Sequence, residues 1–305
     1  MKECFSGVIG AAACLFPVFC GADQQEMTAE TRLPSQFSTA KSEGEPPQWR
    51  YLLHLPEGYD KAEKPWPMIF YLHGRSIRGN DLDRVKRYGP PAFLDKKPHF
   101  PFVVIAPQLP DHSWPSSSLL KLLDEVTGKY KVDRDRIYLT GVSMGGGGAW
   151  YLAAAGPERF AALAPLCGYG GTSLAKKLTK LPIWAFHGDA DDIVPLEPHQ
   201  KLVDAVNKAG GNARLTVIPG GDHGNIIFPT YKRDDLYQWM LSQKRGREKA
   251  EMPVEKASAG KYVVKKGDTL WKIGKSHGVT VNQLKTANRL DSNVIKPGRE
   301  LVIPD

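Results

Sequence analysis

The chain has 305 residues, 41% of them hydrophobic and 24% charged, a composition that excludes a chain disordered throughout. Its net charge of +8 is concentrated at one end: residues 244–305 hold 14 Lys and Arg against 7 Asp and Glu, leaving +1 on the first 243 residues. A nucleic-acid groove on the main body is therefore not expected, and at most the tail is drawn weakly to an anionic polymer.

In chain order, residues 1–22 combine Lys2, an apolar run over residues 5–19 and a small-x-small site ending at Ala22, the pattern of a secretory signal peptide. The run is short for a membrane span, which takes about 20 residues, and no second apolar stretch of that length follows. Lipoprotein anchoring at Cys20 is the alternative, with Phe19 a poor neighbour for that processing. Cys4, Cys14 and Cys20 fall in this region and leave Cys167 alone in the mature chain, so no disulfide is expected. Cys167 follows an apolar run and reads as a packed core thiol rather than a catalytic one. Residues 23–47 are rich in Gln, Glu, Ser and Thr and read as a flexible lead-in.

From residue 48 the pattern changes. Short runs rich in β-branched and aromatic residues, RYLLHLP (50–56), PMIFYLHG (67–74), FVVIAPQ (102–108), RIYLTG (136–141), ALAPLCG (162–168), PIWAFHG (182–188) and RLTVIPG (214–220), predict strands. Between and after them SSSLLKLLDEVTGKY, the segment after Ser143, LEPHQKLVDAVNKAG and DDLYQWMLSQK predict helices. Apolar strands alternating with helices imply an α/β domain over residues 48–243, a mostly parallel sheet covered on both faces. Residues 244–260, charged and without periodicity, read as a linker. Residues 261–304 form a second, small unit of strand, helix, helix and strand.

Residues 141–150 read GVSMGGGGAW, placing four consecutive glycines where a helix should begin. Each costs about 1 kcal/mol of helix propensity relative to alanine, so local stability is not what they serve. Gly141, Ser143 and Gly145 make a G-x-S-x-G pattern between a strand and a helix. Such a sharp turn strains the serine backbone and leaves no room for side chains at the flanking positions. Gly146 to Gly148 are expected to let the helix start pack closely on neighbouring strands.

A serine needs a general base, itself oriented by a carboxylate. The loop after PIWAF is HGDADDIVP and the loop after RLTVI is PGGDHGN, giving the chain order serine, acid, histidine. Of eight histidines, only His223 lies in a glycine-flanked loop after the last strand of the domain. His73 and His187, at strand ends before glycine, suit structural hydrogen bonds; His54, His99, His112 and His199 have no catalytic context, and His277 is in the small unit. Asp189, Asp191 and Asp192 crowd together, and the residues alone do not choose among them.

Through YLHGRS, GVSMGGGGAW, APLCGYG, HGDADDIVP and GGDHG, residues 48–243 resemble the α/β-hydrolase superfamily, in particular its compact secreted esterases related to feruloyl esterases, polyhydroxybutyrate depolymerases and the phospholipase/carboxylesterase group. The resemblance implies that Asp191, four before the final proline of its loop, is the acid, with Asp189 and Asp192 shaping the loop or facing solvent. It also implies oxyanion donors at the backbone N–H groups of Met144 and Arg75, with Ser76 as a substitute for the latter. Only residues 167–181 separate the strand after the nucleophile helix from the next, so no large cap is expected, and an open cleft suits polar or polymer-attached esters. Trp114 reads equally as a cleft wall or a core residue. No metal and no organic cofactor is expected.

Residues 261–304 resemble a LysM domain through YVVKKGDTLWKIGKSHGVTVNQLKTAN and IKPGRELVIP. The resemblance implies binding of N-acetylglucosamine-containing polymers, peptidoglycan or chitin, by the loops around Gly267, Asp268, Thr269 and Leu270 and around Ser292, Asn293, Val294 and Ile295. The expected protein is thus an exported serine esterase, secreted or periplasmic and associated with the cell wall. The rival readings are a prolyl-oligopeptidase-like peptidase, for which the region before the core lacks the length of a propeller, and a wall-binding protein with an inactive hydrolase domain.

Overall fold

The structure is a computed structural model that describes residues 37–43, 48–97, 99–246, 260–277, 279, 281–290 and 292–303. The expected signal peptide, most of the lead-in and residues 247–259 of the linker lie outside the described residues.

Eight strands form one sheet: β1 (Ser38–Lys41), β2 (Arg50–His54), β3 (Trp66–Leu72), β4 (Val103–Pro107), β5 (Val132–Val142), β6 (Ala162–Leu166), β7 (Pro182–Gly188) and β8 (Asn212–Ile218), in the order β1-β2-β4-β3-β5-β6-β7-β8. The strands from β4 to β8 pair in parallel, and β1 and β2 add an antiparallel edge. Alternate residues of each strand feed two separate cores, as the period of two requires. Met68, Phe70 and Leu72 of β3 pack with α1 (Ser116–Lys129), α2 (Met144–Ala155) and α3 (Leu196–Lys208). Ile69 and Tyr71 face the other way, with the segment from Leu82 to Phe102 and the helices α4 (Ile227–Lys232) and α5 (Asp234–Ser242). The expected parallel sheet with helices on both faces is what forms. β5 starts four residues before the predicted run, because Val132 aligns with Trp66 across a register shift in which β5 carries the extra residues before Ile137 pairs with Met68.

Two sequence expectations are corrected. Residues 38–41 are a strand rather than flexible lead-in: they pair with residues 50–53, and Ser42 closes the connection by accepting from the Trp49 N–H through its Oγ at 2.6 Å. The start of the expected linker is held too, since Arg245 donates to the Asp135 carboxylate at 3.0 Å and to the Glu158 carbonyl at 2.9 Å. Between β6 and β7 the chain makes only a short 3-10 helix, Thr172–Lys177, so no large cap is inserted in this connection.

In the small unit, β9 (Gly260–Val263) and β10 (Glu300–Ile303) pair antiparallel around α6 (Leu270–His277) and α7 (Val281–Ala287). Val264, Leu270, Ile273, Val279, Leu284, Leu301 and Ile303 make its core. Asn288 ties α7 to the sheet, exchanging hydrogen bonds with the backbone of Val302 at 2.7 Å in both directions. No helix among the described residues is long and apolar enough to cross a membrane.

Four histidines of the large domain are fully buried, His54, His73, His187 and His199, and burial pushes each below its usual range, His54 and His73 to about 4 and His199 to about 3. The folded chain holds them neutral, while an unfolded chain takes up protons below about pH 6.5. The stability they allow is therefore complete above that pH and is lost as pH falls from about 6.5 towards 4. Thermal denaturation across this window should show a falling Tm, and substituting His54 by Leu should flatten the fall.

Candidate functional site

The C-terminal ends of β3, β5, β6, β7 and β8 converge on Ser143. β5 ends at Val142 and α2 begins at Met144, so Ser143 alone makes the turn, with φ 57° and ψ −120°. This left-handed conformation of a residue with a Cβ costs about 1–3 kcal/mol. Its backbone is pinned on both sides: its N–H donates to Leu166 O at 3.0 Å and its carbonyl accepts from Gly147 N at 2.9 Å. Although Ser143 is the N-cap of α2, its hydroxyl caps no helix N–H and stays available.

The glycine run is explained by what a side chain would meet. A Cβ on Gly145 would lie 2.0 Å from Leu72 O, on Gly146 2.5 Å from Leu166 O, on Gly147 3.1 Å from Tyr169 O, and on Gly148 2.6 Å from the Trp114 ring. On Gly141 it would lie 2.3 Å from Gly145 O. The start of α2 is thereby packed against the ends of β3 and β6. Trp114 is a buried wall of this contact rather than a lining of an open cleft, its Nε1–H donating to His73 O at 3.2 Å.

Asp191 and His223 reach Ser143 from the loops after β7 and β8. The two loops touch through backbone: a Cβ on Gly188 would lie 2.0 Å from Gly221 O, and Ala190 N donates to Gly221 O at 3.0 Å. His223 Nδ1 lies 2.8 Å from Asp191 Oδ2, and Nε2 lies 2.9 Å from Ser143 Oγ. A carboxylate only accepts, so the proton sits on Nδ1 and Nε2 accepts from the hydroxyl. The Asp191 side chain is fully buried, and its Oδ1 takes the N–H groups of Ile193 and Val194 at 3.0 and 2.8 Å. Asp189 instead accepts from Gly220 N at 2.6 Å, and Asp192 is exposed. Exposed Asp222 accepts from the N–H groups of Gly224 and Asn225 and folds the loop that carries His223; these two N–H groups hold its carboxyl below the usual range.

Two backbone donors stand beside the serine. Met144 opens α2 and Arg75 opens the 3-10 turn Arg75–Ile77, positions whose N–H has no partner within its own helix. Neither has a hydrogen-bond partner among the described residues. A Cβ on Gly74 would lie 3.5 Å from the Cβ of Ser143, so the loop carrying Arg75 passes directly over the turn. The Ser76 carbonyl is taken by Arg84 Nη2 at 2.6 Å. Gln108, buried at the end of β4, donates to Ile77 O and Asp81 O at 3.2 and 2.6 Å and holds this loop. Neither Arg84 nor Gln108 was singled out from the sequence; a Gln closing the apolar run FVVIAPQ was the signal available for the second.

One group of ligand-type side chains among the described residues gathers its atoms within 4.8 Å: Cys167, Asp191 and His223. Its chemistry does not suit a metal. Both His223 nitrogens are engaged, and burial pushes the Cys167 thiol up to about 12, so it stays protonated where a metal ligand must be a thiolate. Cys167 packs in the core with its Sγ 3.9 Å from the His223 carbonyl.

In the small unit, Gly267 has φ 91° at the tip of the turn after β9. Asp268 organises that turn, its carboxylate accepting from Tyr262 Oη and Lys265 N, both at 2.7 Å; these bonds hold its carboxyl low. Thr269 Oγ1 accepts from Lys272 N at 3.2 Å. The Leu270 side chain is only 1% exposed, so it belongs to the core, and Ile295 packs partly against the same core. Ser292 and Asn293 are exposed, and Val294 is 74% exposed, a large apolar surface for a loop of this size. Trp271, beside Leu270, is likewise exposed and was not among the expected glycan-binding residues.

A strained serine whose hydroxyl is bonded to a carboxylate-oriented imidazole, with free N–H groups alongside, has the parts needed for acyl transfer. Residues 116–238 match the Dienelactone hydrolase family and residues 262–304 the LysM domain. "Probable feruloyl esterase C" of Aspergillus terreus is 25% identical over 153 residues, 48% of this chain and 56% of that protein. "Probable endopeptidase p60" of Listeria grayi is 52% identical over 48 residues, 16% of this chain and 9% of that protein. A solved structure described as a thermostable esterase is 28% identical with a TM-score of 0.60, covering 70% of this chain and 64% of that one. The chain thus spans about half or less of the length of these two curated relatives. It carries a dienelactone hydrolase domain of the α/β-hydrolase fold, followed by a C-terminal LysM domain.

Proposed function

We propose that the large domain is a serine esterase that cleaves carboxylic esters through an acyl-enzyme, and that the chain is exported and held at the cell wall by its LysM domain. The observation that carries the reading is the continuous chain from Asp191 through His223 to Ser143, at 2.8 and 2.9 Å, ending on a hydroxyl that no backbone group uses. The likeness to feruloyl esterase C and to the thermostable esterase supports ester substrates. The short connection between β6 and β7 supports a cleft open to carbohydrate-linked or small polar esters.

In this mechanism Ser143 Oγ attacks the ester carbonyl as its proton passes to His223 Nε2, and Asp191 stabilises the imidazolium through Nδ1–H. The oxyanion accepts from Met144 N–H and Arg75 N–H, donors of a kind worth about 3–4 kcal/mol in the transition state. Collapse breaks the ester C–O bond, and the leaving alcohol takes the proton from His223. Water, deprotonated by His223, then attacks the acyl carbonyl, returning Ser143 and releasing the acid.

Ser143→Ala should lower hydrolysis of p-nitrophenyl acetate by several orders of magnitude while leaving Tm unchanged or raised, since the residue is strained. Asp191→Asn should cost about 10⁴ in kcat by mis-setting the imidazole tautomer. Asp189→Asn and Asp192→Asn should cost far less. Wild-type turnover in Ser143→Ala, or greater sensitivity at Asp189 or Asp192, would contradict the assignment.

The LysM match and its likeness to the p60 segment support binding to a polymer containing N-acetylglucosamine, through the loops around 267–270 and 292–295. If the domains act independently, a chain ending at Gln243 should hydrolyse small soluble esters at the full-length rate but no longer sediment with insoluble peptidoglycan or chitin. The sedimentation should persist at high salt, where screening removes simple attraction to the basic tail. Loss of binding in salt would reduce the tail to a charged patch.

A further inference from the structure

Asp191 is reached by one donor that the mechanism above does not use. Trp150 Nε1 donates to His199 Nε2 at 3.1 Å, His199 Nδ1 stands 2.7 Å from His187 Nδ1, and His187 Nε2 lies 2.8 Å from Val194 O and 3.3 Å from Asp191 Oδ2. Both imidazoles are fully buried. An indole N–H can only donate, so the polarity of the whole chain is fixed from its far end. His199 accepts at Nε2, carries its proton on Nδ1 and gives it to His187 Nδ1. That leaves the His187 proton on Nε2, shared between Val194 O and Asp191 Oδ2. The opposite tautomer would aim a lone pair at both oxygens.

The residues come from three elements. Trp150 lies on α2, the helix that Ser143 opens; His199 lies on α3; His187 ends β7, at the base of the loop that carries Asp191. We propose that His187 is a positioning residue for the Asp191–His223 pair, held in its working tautomer by His199 and, through His199, by Trp150. This rests on the serine-esterase reading and adds to it a physical tie between the nucleophile's helix and the acid loop. Four N–H groups then surround the carboxylate: Ile193 and Val194 on Oδ1, His223 and His187 on Oδ2. With its rotation blocked on both oxygens, the carboxylate presents Oδ2 to His223 in one orientation.

The test compares two substitutions of His199. His199→Phe keeps volume but removes donor and acceptor; His199→Gln retains one of each at about the ring-nitrogen positions. On p-nitrophenyl acetate, His199→Phe should lower kcat by about 10- to 100-fold with KM little changed, because a misplaced pair costs the transition state rather than binding. His199→Gln should recover most of the loss. Val206→Ala, a cavity on the same helix away from the chain, is the control: it should lower Tm without the loss of kcat. Wild-type kcat in His199→Phe, no recovery in His199→Gln, or an equal loss in Val206→Ala would overturn the proposal. If His199→Phe does not fold, His187→Gln against His187→Leu makes the same comparison, with the same reading of recovery. A dead Ser143→Ala beside a fully active His199→Phe removes the positioning role alone, whereas an active Ser143→Ala removes the serine mechanism beneath it.

Discussion

The approach of one backbone to another at the start of α2 is the constraint on which the site depends. Leu72 O stands where a Cβ on Gly145 would have to be, and Leu166 O and the Gly168 backbone do the same to Gly146. Only a glycine run lets the helix begin this close to the ends of two parallel strands. The helix then recovers stability beyond the run, where Trp150 and Leu152 are fully buried, each side chain worth about 1.5–3 kcal/mol. What the close approach yields is position: Ser143 at the top of the sheet, strained, with the N–H of Met144 pointing out of an uncapped helix start and the Arg75 loop lying across it.

A second backbone contact, Gly188 against Gly221, performs the same service for the loops that carry Asp191 and His223. Side chains then complete what backbone begins. Gln108 and Arg84 hold the Arg75 loop by its carbonyls, and Trp150, His199 and His187 hold the acid loop from within the core. Gln108, Trp150, His199 and His187 are buried, whereas Arg84 is a half-buried cation whose bond to Ser76 O lies at the surface.

Much of this was legible in the sequence because it is written locally. Apolar runs of five to seven residues with β-branched and aromatic content announce strands, and a serine between glycines after such a run announces a turn; β3, β5 and β7 were found this way. Ser143, Asp191 and His223 each sit in a loop directly after a strand, so parallel topology brings them to one edge. The residues that were missed act at long range. His199 lies mid-helix, and only the fold sets it against His187 and Trp150, 12 and 49 positions away. β1 was missed because STAK, three polar residues and an alanine, becomes a strand only when β2 offers an edge. The LysM resemblance implied Leu270 in the loop that lines a glycan groove, but α6 turns its side chain into the small core.

The central claim is that Ser143 becomes the acylated residue. Treatment of the full chain with a fluorophosphonate, followed by peptide mass spectrometry, reads this directly, because the reagent forms a stable bond only to an oxygen activated as a nucleophile. The account predicts a single adduct on the peptide containing Ser143, loss of esterase activity in step with labelling, and no adduct in Ser143→Ala. An adduct on Cys167, or continued ester hydrolysis by fully labelled protein, would contradict it.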